Sequence, residues 1–335
     1  MLNQTRRLII TGVTALATSM VLALPSYAQN AFPSQPIRVI VPFPAGGTTD
    51  VAARVFAEHM QEDLGQPVVV ENRAGGGGSV GADVVARADP DGHTLLFHNI
   101  TFSATTTVMT HEGRELHSIE DDFEPVSIAV NVPMLLLAHP SLEVANLEEF
   151  VALARERTEA GDPIFYGSTG PGSIINLVGE VIKSQAEIEM DHIPFPGAAP
   201  MVQDLLAGRV QFGGDQLATS LEHARSGRLI GLAVMAGERS PALPDVPTVG
   251  EMGFESLNLR GFNGFIAPAG TPREVIDRIQ QSVASAAADP AVIARMEAMG
   301  AETSGSTPEE FREVLTEQVA QMRPLVEELG IGSGQ

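Results

Sequence analysis

Short apolar runs alternate with segments of helical periodicity along most of this chain, and that alternation limits what it can fold into. Residues 37–41 (Ile-Arg-Val-Ile-Val) have the length and β-branched content of a buried strand. Val51, Ala52, Val55, Phe56, Met60 and Leu64 follow at helical spacing, closed by Gly65 where a chain often leaves a helix. Residues 68–70 read as the next strand, 82–87 as a short helix and 94–97 as a third strand. This βαβαβ order predicts a parallel sheet with helices on its faces.

The pattern restarts at Val126. Strands are expected at 126–130 and 134–138, then a helix opening at Asn146 with Glu149 as its capping-box partner. Further strands are expected at 164–166, 192–193, 210–212, 229–234 and 262–267, and helices at 174–185, 201–206 and 217–224. Three helices close the chain. Thr271-Pro272-Arg273-Glu274 and Thr307-Pro308-Glu309-Glu310 each supply a cap, a first-turn proline and a capping-box glutamate, and Asp289-Pro290 opens the third. Two α/β series without a flexible linker predict two lobes with a cleft between them.

Ligands of parallel α/β sheets bind at the carboxyl ends of the strands, where loops lead into helix N-termini. Four loops qualify: 42–50 after the first strand, 167–173 after Tyr166, 195–200 after Ile193, and 213–216 after Phe212. Three are rich in glycine and end in a hydroxyl or small cap, and free amides at a helix start make an anion site. None contains Lys or Arg, so an anion there would rely on backbone donors, hydroxyls and water.

Composition removes several function classes. With 42 acidic against 20 basic residues, and Lys183 the one lysine, nucleic acid is not expected as a partner. With no cysteine there are no disulfides, thiolate metal sites or cysteine nucleophile. Gly76-Gly77-Gly78-Ser79-Val80-Gly81 matches a dinucleotide fingerprint, but the strand end about 20 residues on, at Phe97 to Thr101, carries no acid. Ser168 or Ser173 with His192 as base would suit a hydrolase, yet no nucleophile elbow is present. His111, His117, Asp121, Asp122 and Glu124 fit no short metal motif. No catalytic residue, metal or cofactor is expected. At the N-terminus, Arg6 and Arg7 precede an apolar run from Leu8 to Leu24, and Ser26-Tyr27-Ala28 is a small-x-small cleavage site. Residues 1–28 therefore read as a secretory signal peptide cleaved after Ala28. Tyr166 would then be the single tyrosine of the mature chain, with a place expected beside the ligand.

Taken together, the loops resemble a known family. Pro36-Ile37-Arg38, the segment from Val41 to Asp50, the segment from Gly65 to Gly75, and Pro90-Asp91-Gly92-His93-Thr94-Leu95-Leu96 are similar to the Bug-type substrate-binding proteins of tripartite tricarboxylate transporters. So are Tyr166-Gly167-Ser168, Asp204-Leu205-Leu206-Ala207-Gly208, the run from Arg239 to Thr248, and Ala267-Pro268-Ala269-Gly270-Thr271-Pro272. The resemblance implies a type II-like periplasmic-binding-protein fold, each lobe a mostly parallel sheet flanked by helices. Lobe 1 would comprise 29–128 plus 232–335, and lobe 2 would comprise 129–231. It implies a periplasmic monomer that closes over a small carboxylate (a di- or tricarboxylate, an aromatic acid or similar) and delivers it to membrane permease subunits. Carried over by position, the ligand contacts would be Phe43, Ala45, Gly46, Gly47 and Thr48 from the first loop, with Asn99. Ser168, Thr169, Gly172, Ser173, Gly197, Ala198 and Asp215 would meet the ligand from the second lobe. The chain departs from the family at Phe195-Pro196-Gly197, where Tyr-Lys-Gly is common, so a lysine near the cleft is missing. An exported hydrolase of a small ester or amide, and a partner presenting its ligand to a membrane histidine kinase, are the alternatives.

Overall fold

The computed structural model describes residues 32–113, 118–119 and 121–332. The expected signal peptide and His117 lie outside the described residues. Among those described, the strands form one six-stranded and one five-stranded sheet.

The first sheet begins as the periodicity predicts. Strand β1 (Ile37–Val41) is followed by helix α1 (Thr48–Leu64), β2 (Val68–Asn72), α2 (Ser79–Ala86) and β3 (Thr94–Asn99). β2 and β3 both pair with β1 in parallel. Ile37, Val39, Ile40 and Val41 have no solvent exposure, because a central strand of such a sheet is covered on both faces. Three more strands complete the sheet: β4 (Phe123–Asn131), β10 (Phe262–Pro268) and β11 (Glu302–Thr303), in the order β11-β4-β10-β3-β1-β2.

The second sheet contains β5 (Met134–Ala138), β6 (Ile164–Ser168), β7 (Met190–Pro194), β8 (Phe212–Gln216) and β9 (Ile230–Met235), ordered β7-β6-β8-β5-β9. Its helices are α4 (Leu147–Ala160), α5 (Ile174–Ala186), α6 (Ala198–Leu206) and α7 (Leu217–Arg225). Asn146 caps α4 by accepting from the Glu149 amide at 2.9 Å, while Glu149 reaches back to the Ala145 amide at 2.8 Å. The chain ends in α8 (Arg273–Ala288), α9 (Pro290–Glu297) and α10 (Pro308–Leu329). Thr307 and Glu310 form a complete capping box for α10, and Asp289 caps α9.

Three expectations need correction and a fourth needs detail. The sheets are mixed, with four strands of each running one way: β10 runs antiparallel to both β3 and β4, β11 to β4, and β5 to both β8 and β9. β5 and β10 enter their sheets directly from the other sheet, with no crossover helix to return them in the starting direction, so they run against their neighbours. The passages fall between Asn131 and Met134 and after Met235, whereas the expected divisions at 128/129 and 231/232 lie inside continuous strands β4 and β9. Thr271 does not cap α8; its hydroxyl donates back to the Pro268 carbonyl at 2.8 Å. Finally, a helix α3 (Thr101–His111) follows β3 where none was anticipated. Its threonines disfavour helix through branching at Cβ. Burial overrides that preference, and Thr106, Thr107 and Thr110 satisfy their hydroxyls on carbonyls one turn back, at 2.7–2.8 Å.

Candidate ligand-binding site

Helix α1 starts at Thr48, three residues before the apolar periodicity begins, so the end of the glycine loop is the helix's first turn. Its N-cap is Gly47, extended and without a side-chain cap. The amides of Thr48, Thr49 and Asp50 therefore have neither an intrahelical acceptor nor a cap. Asp50 secures the loop instead: its carboxylate accepts from the Gly46 amide at 3.0 Å, from Asn72 Nδ2 at 2.9 Å and from Arg54 at 2.9 Å. Burial pushes the Asp50 carboxyl up, but Arg54, Gly46 and Asn72 outweigh it and hold the group below the usual carboxylate range.

The second lobe repeats the device. β7 leads through Phe195 and Pro196 into α6, whose N-cap Gly197 is again extended and carries no side-chain cap. α5, by contrast, is capped by Ser173, which accepts from the Asn176 amide. Thus two uncapped helix starts, one from each sheet, are available to an anion.

These elements converge on one cavity between the sheets. Phe43, Gly47, Thr48, Asn99, Thr169, Ala198 and Asp215 of the expected set line it. Phe43 is held there edge-on to His98, with ring centroids 5.1 Å apart. Burial pushes His98 down to about 3, so the ring is neutral, and its Nδ1 accepts from the Asn99 amide at 2.8 Å. The free volume is about 30 Å³, far below the several hundred typical of small-molecule sites, so the loops from the two sheets lie close across it. Thr48 Oγ1 lies 3.1 Å from Thr219 Oγ1 across the cleft, and Thr49 donates to Gln216 Oε1 at 3.4 Å. Among the described residues, no lysine or arginine lines the cavity.

The other expected residues stand elsewhere. Ala45 and Gly46 are exposed, and the Gly46 amide is committed to Asp50. The Gly172 amide is taken by Asn176 Oδ1 at 2.9 Å, and Ser173 by its capping role. Ser168 is fully buried; its hydroxyl accepts from the Gly170 amide at 3.0 Å and sits 2.6 Å from His192 Nε2. His192 is half-buried on the edge strand β7, and neither member of that serine–histidine pair lines the cavity. Gly197 borders the cleft through a close approach to Pro44, not through the lining.

Gly213, Gly214 and Asp215 are not a loop as expected. They belong to β8, where Met201 packs over Gly213 and Ile175 over Gly214, closer than a Cβ would allow. Asp215 is buried and accepts from the Gln216 amide at 2.8 Å, from Ser220 at 2.9 Å and from Thr219. Burial pushes its carboxyl up, against the opposing effect of these three donors. Tyr166 points into the lobe core: its hydroxyl donates to Glu180 at 2.7 Å, accepts from Asn176 at 3.0 Å, and its ring stacks on His192. Glycines 76–78 form a tight turn against His98 and the 170–171 loop of the other lobe, a packing role in place of a dinucleotide site.

Thr49, Asp50, Thr101, Met134, Ile174, Ile175 and Gln216 also line the cavity and were not among the expected contacts. Thr49, Asp50 and Gln216 lie in two of the loops singled out by sequence, so a signal existed for them. Thr101, Met134, Ile174 and Ile175 carry none beyond ordinary strand or helix patterning.

Comparison with known proteins agrees with this fold. Residues 52–331 match the family model described as the tripartite tricarboxylate transporter family receptor. Protein BugT of Bordetella pertussis is 33% identical over 98% of this chain and 99% of its own length. The periplasmic binding protein BugD superposes with a TM-score of 0.80 at 34% identity, covering 90% of this chain and 99% of BugD. MatC from Rhodopseudomonas palustris, solved with bound malate, gives 0.81 at 29% identity over 88% of this chain and 100% of its own. An R. palustris protein solved with adipate gives 0.81 at 30%, over 90% and 99%. The chain belongs to the tripartite tricarboxylate transporter receptors, a family of periplasmic solute-binding proteins.

Proposed function

We propose that this protein captures a small carboxylate between its two lobes, without turnover, and delivers it to the membrane permease of a tripartite tricarboxylate-type transporter. The observation that carries the reading is the convergence of two uncapped, glycine-opened helix starts, α1 and α6, on one cavity between the sheets. Backbone amides and helix ends supply the positive potential there, without a basic side chain. Relatives solved with malate and adipate support a carboxylic acid as the ligand class. In this reading the chain is exported as a monomer, its signal peptide removed after Ala28. The lobes divide where the sheets do, lobe 2 running from about Val132 to Met235.

The test is a thermal-shift panel of malate, succinate, adipate, citrate and aromatic acids on ligand-stripped protein. A bound acid at 100 times its dissociation constant stabilises by about 2.7 kcal/mol, a clear melting shift. No shift with any acid, or consumption of one, would refute the reading.

A further inference from the structure

A chain of three oxygen-bearing side chains crosses between the lobes. Asp215, on β8, accepts from Thr219 and Ser220 on Oδ2 and from the Gln216 amide on Oδ1. Thr219, in the first turn of α7, lies 3.1 Å from Thr48, in the first turn of α1. Both Asp215 and Thr48 line the cavity.

Each threonine hydroxyl has one proton to give and two lone pairs. While Asp215 is ionised it can only accept, so the Thr219 O–H donates its hydrogen bond to the carboxylate. The Thr219–Thr48 bond then requires Thr48 to be its donor. Thr48 is left with only lone pairs toward the cavity, and a ligand carboxylate meets an acceptor with a like charge one hydroxyl beyond it. Protonation of Asp215 reverses the chain. The acid O–H donates to Thr219, the Thr219 O–H donates to Thr48, and the Thr48 O–H is free to turn toward the ligand. The Gln216 carbonyl, at 3.3 Å from Thr219 Oγ1, is the farther acceptor for Thr219.

We propose that Asp215 is a positioning residue acting through Thr219 on Thr48, and that capture of a carboxylate is accompanied by uptake of one proton at Asp215. The inference rests on the carboxylate reading above. The surroundings favour it. Asp215 pairs across the sheet with apolar Leu135 of β5, and among the described residues no basic side chain lines the cavity with it. Asp50 of α1, on the same cavity, is already held by Arg54. The three donors and the field of His223 of α7 favour the carboxylate, and burial, which favours the neutral acid, outweighs them.

The test is calorimetric titration of malate and of adipate into the full chain, from about pH 6.5 to about pH 8.5, where the acids themselves stay ionised. Each pH is run in two buffers of different ionisation enthalpy, which reports the protons bound. Wild-type protein is expected to take up nearly one proton and to lose up to about tenfold in affinity per pH unit as pH rises, the slope of one linked proton. Asp215→Asn offers an amide N–H to Thr219 in place of the acid O–H, and is expected to bind with a flat pH profile and no uptake. Thr219→Val is expected to lose most of the uptake and Thr219→Ser to restore it, while His223→Gln keeps it. Binding by wild-type protein without proton uptake would overturn the inference and leave the carboxylate reading standing. Undiminished uptake in either Asp215→Asn or Thr219→Val would do the same. If neither acid binds, the titrations use whichever acid of the panel shifts melting, and failure of the whole panel at every pH would overturn the two together.

Discussion

Gly197→Ala separates closure of the cleft from stability of the lobes. Gly197 is extended, with φ 171° and ψ 175°, a backbone any residue adopts, so alanine brings no conformational strain. Its Cβ, however, would sit 2.4 Å from Pro44 Cδ and 2.9 Å from Pro44 Cγ. Ordinary contact begins near 3.4 Å, so the overlap is about 1 Å, against a ring that cannot rotate away. Pro44 belongs to the loop after β1 and Gly197 to the loop after β7, so the clash exists only while the lobes are together. Overpacking of this kind costs about 1–3 kcal/mol, or roughly 5- to 150-fold in affinity. Titration calorimetry with malate and adipate should show that loss. Urea unfolding of the free variant should shift little, and X-ray scattering should give a larger radius of gyration than wild type. Unchanged affinity together with lowered unfolding stability would refute the reasoning, because the methyl would then be straining one lobe and not the closure.

Gly261→Ala should destabilise by about 3 kcal/mol in urea titration, since its Cβ would lie 2.1 Å from the Val132 carbonyl oxygen where the two passages between sheets touch; a loss under about 0.5 kcal/mol would contradict this. Emission from Tyr166, in a chain beginning after Ala28, should stay constant on ligand binding because the ring faces the lobe core; a saturable change would place it in the cleft. Burial, followed by the Glu180 contact, pushes the Tyr166 hydroxyl well above its ordinary value, so the folded protein resists its ionisation while the unfolded chain does not. Stability should therefore fall as pH rises above about 10, and Tyr166→Phe should remove that part of the decline.

Most of the architecture was legible because strands and amphipathic helices write their periods into the chain. β1, α1, β5, α4, α5 and the closing helices fall where Ile37 to Val41, Val51 to Leu64 and the caps at Asn146, Asp289 and Thr307 put them. α3 was illegible because a helix buried nearly all round has no polar face, and its threonines locally prefer extended chain. The Gly213-Gly214-Asp215 strand was illegible for a related reason: two glycines read as a turn until Met201 and Ile175 are seen to occupy the space above them.

Chemical character of the candidate site was likewise present in the chain: the loops 42–50 and 195–200, which open helices after a glycine and carry no lysine or arginine, allow only an anion site built from backbone and hydroxyls. Local composition determines that much, because helix starts and turn glycines act over a few residues. Which loop residues face the ligand cavity was decided only by the tertiary structure. Gly46 and Gly47 are neighbours, yet one amide is tied to Asp50 and the other residue caps α1 beside the cavity. The pairing of Thr48 with Thr219, 171 positions apart, and the pressing of Gly197 on Pro44 likewise exist only because two sheets meet. No local preference encodes such contacts, since they depend on how two separately folded surfaces are brought face to face.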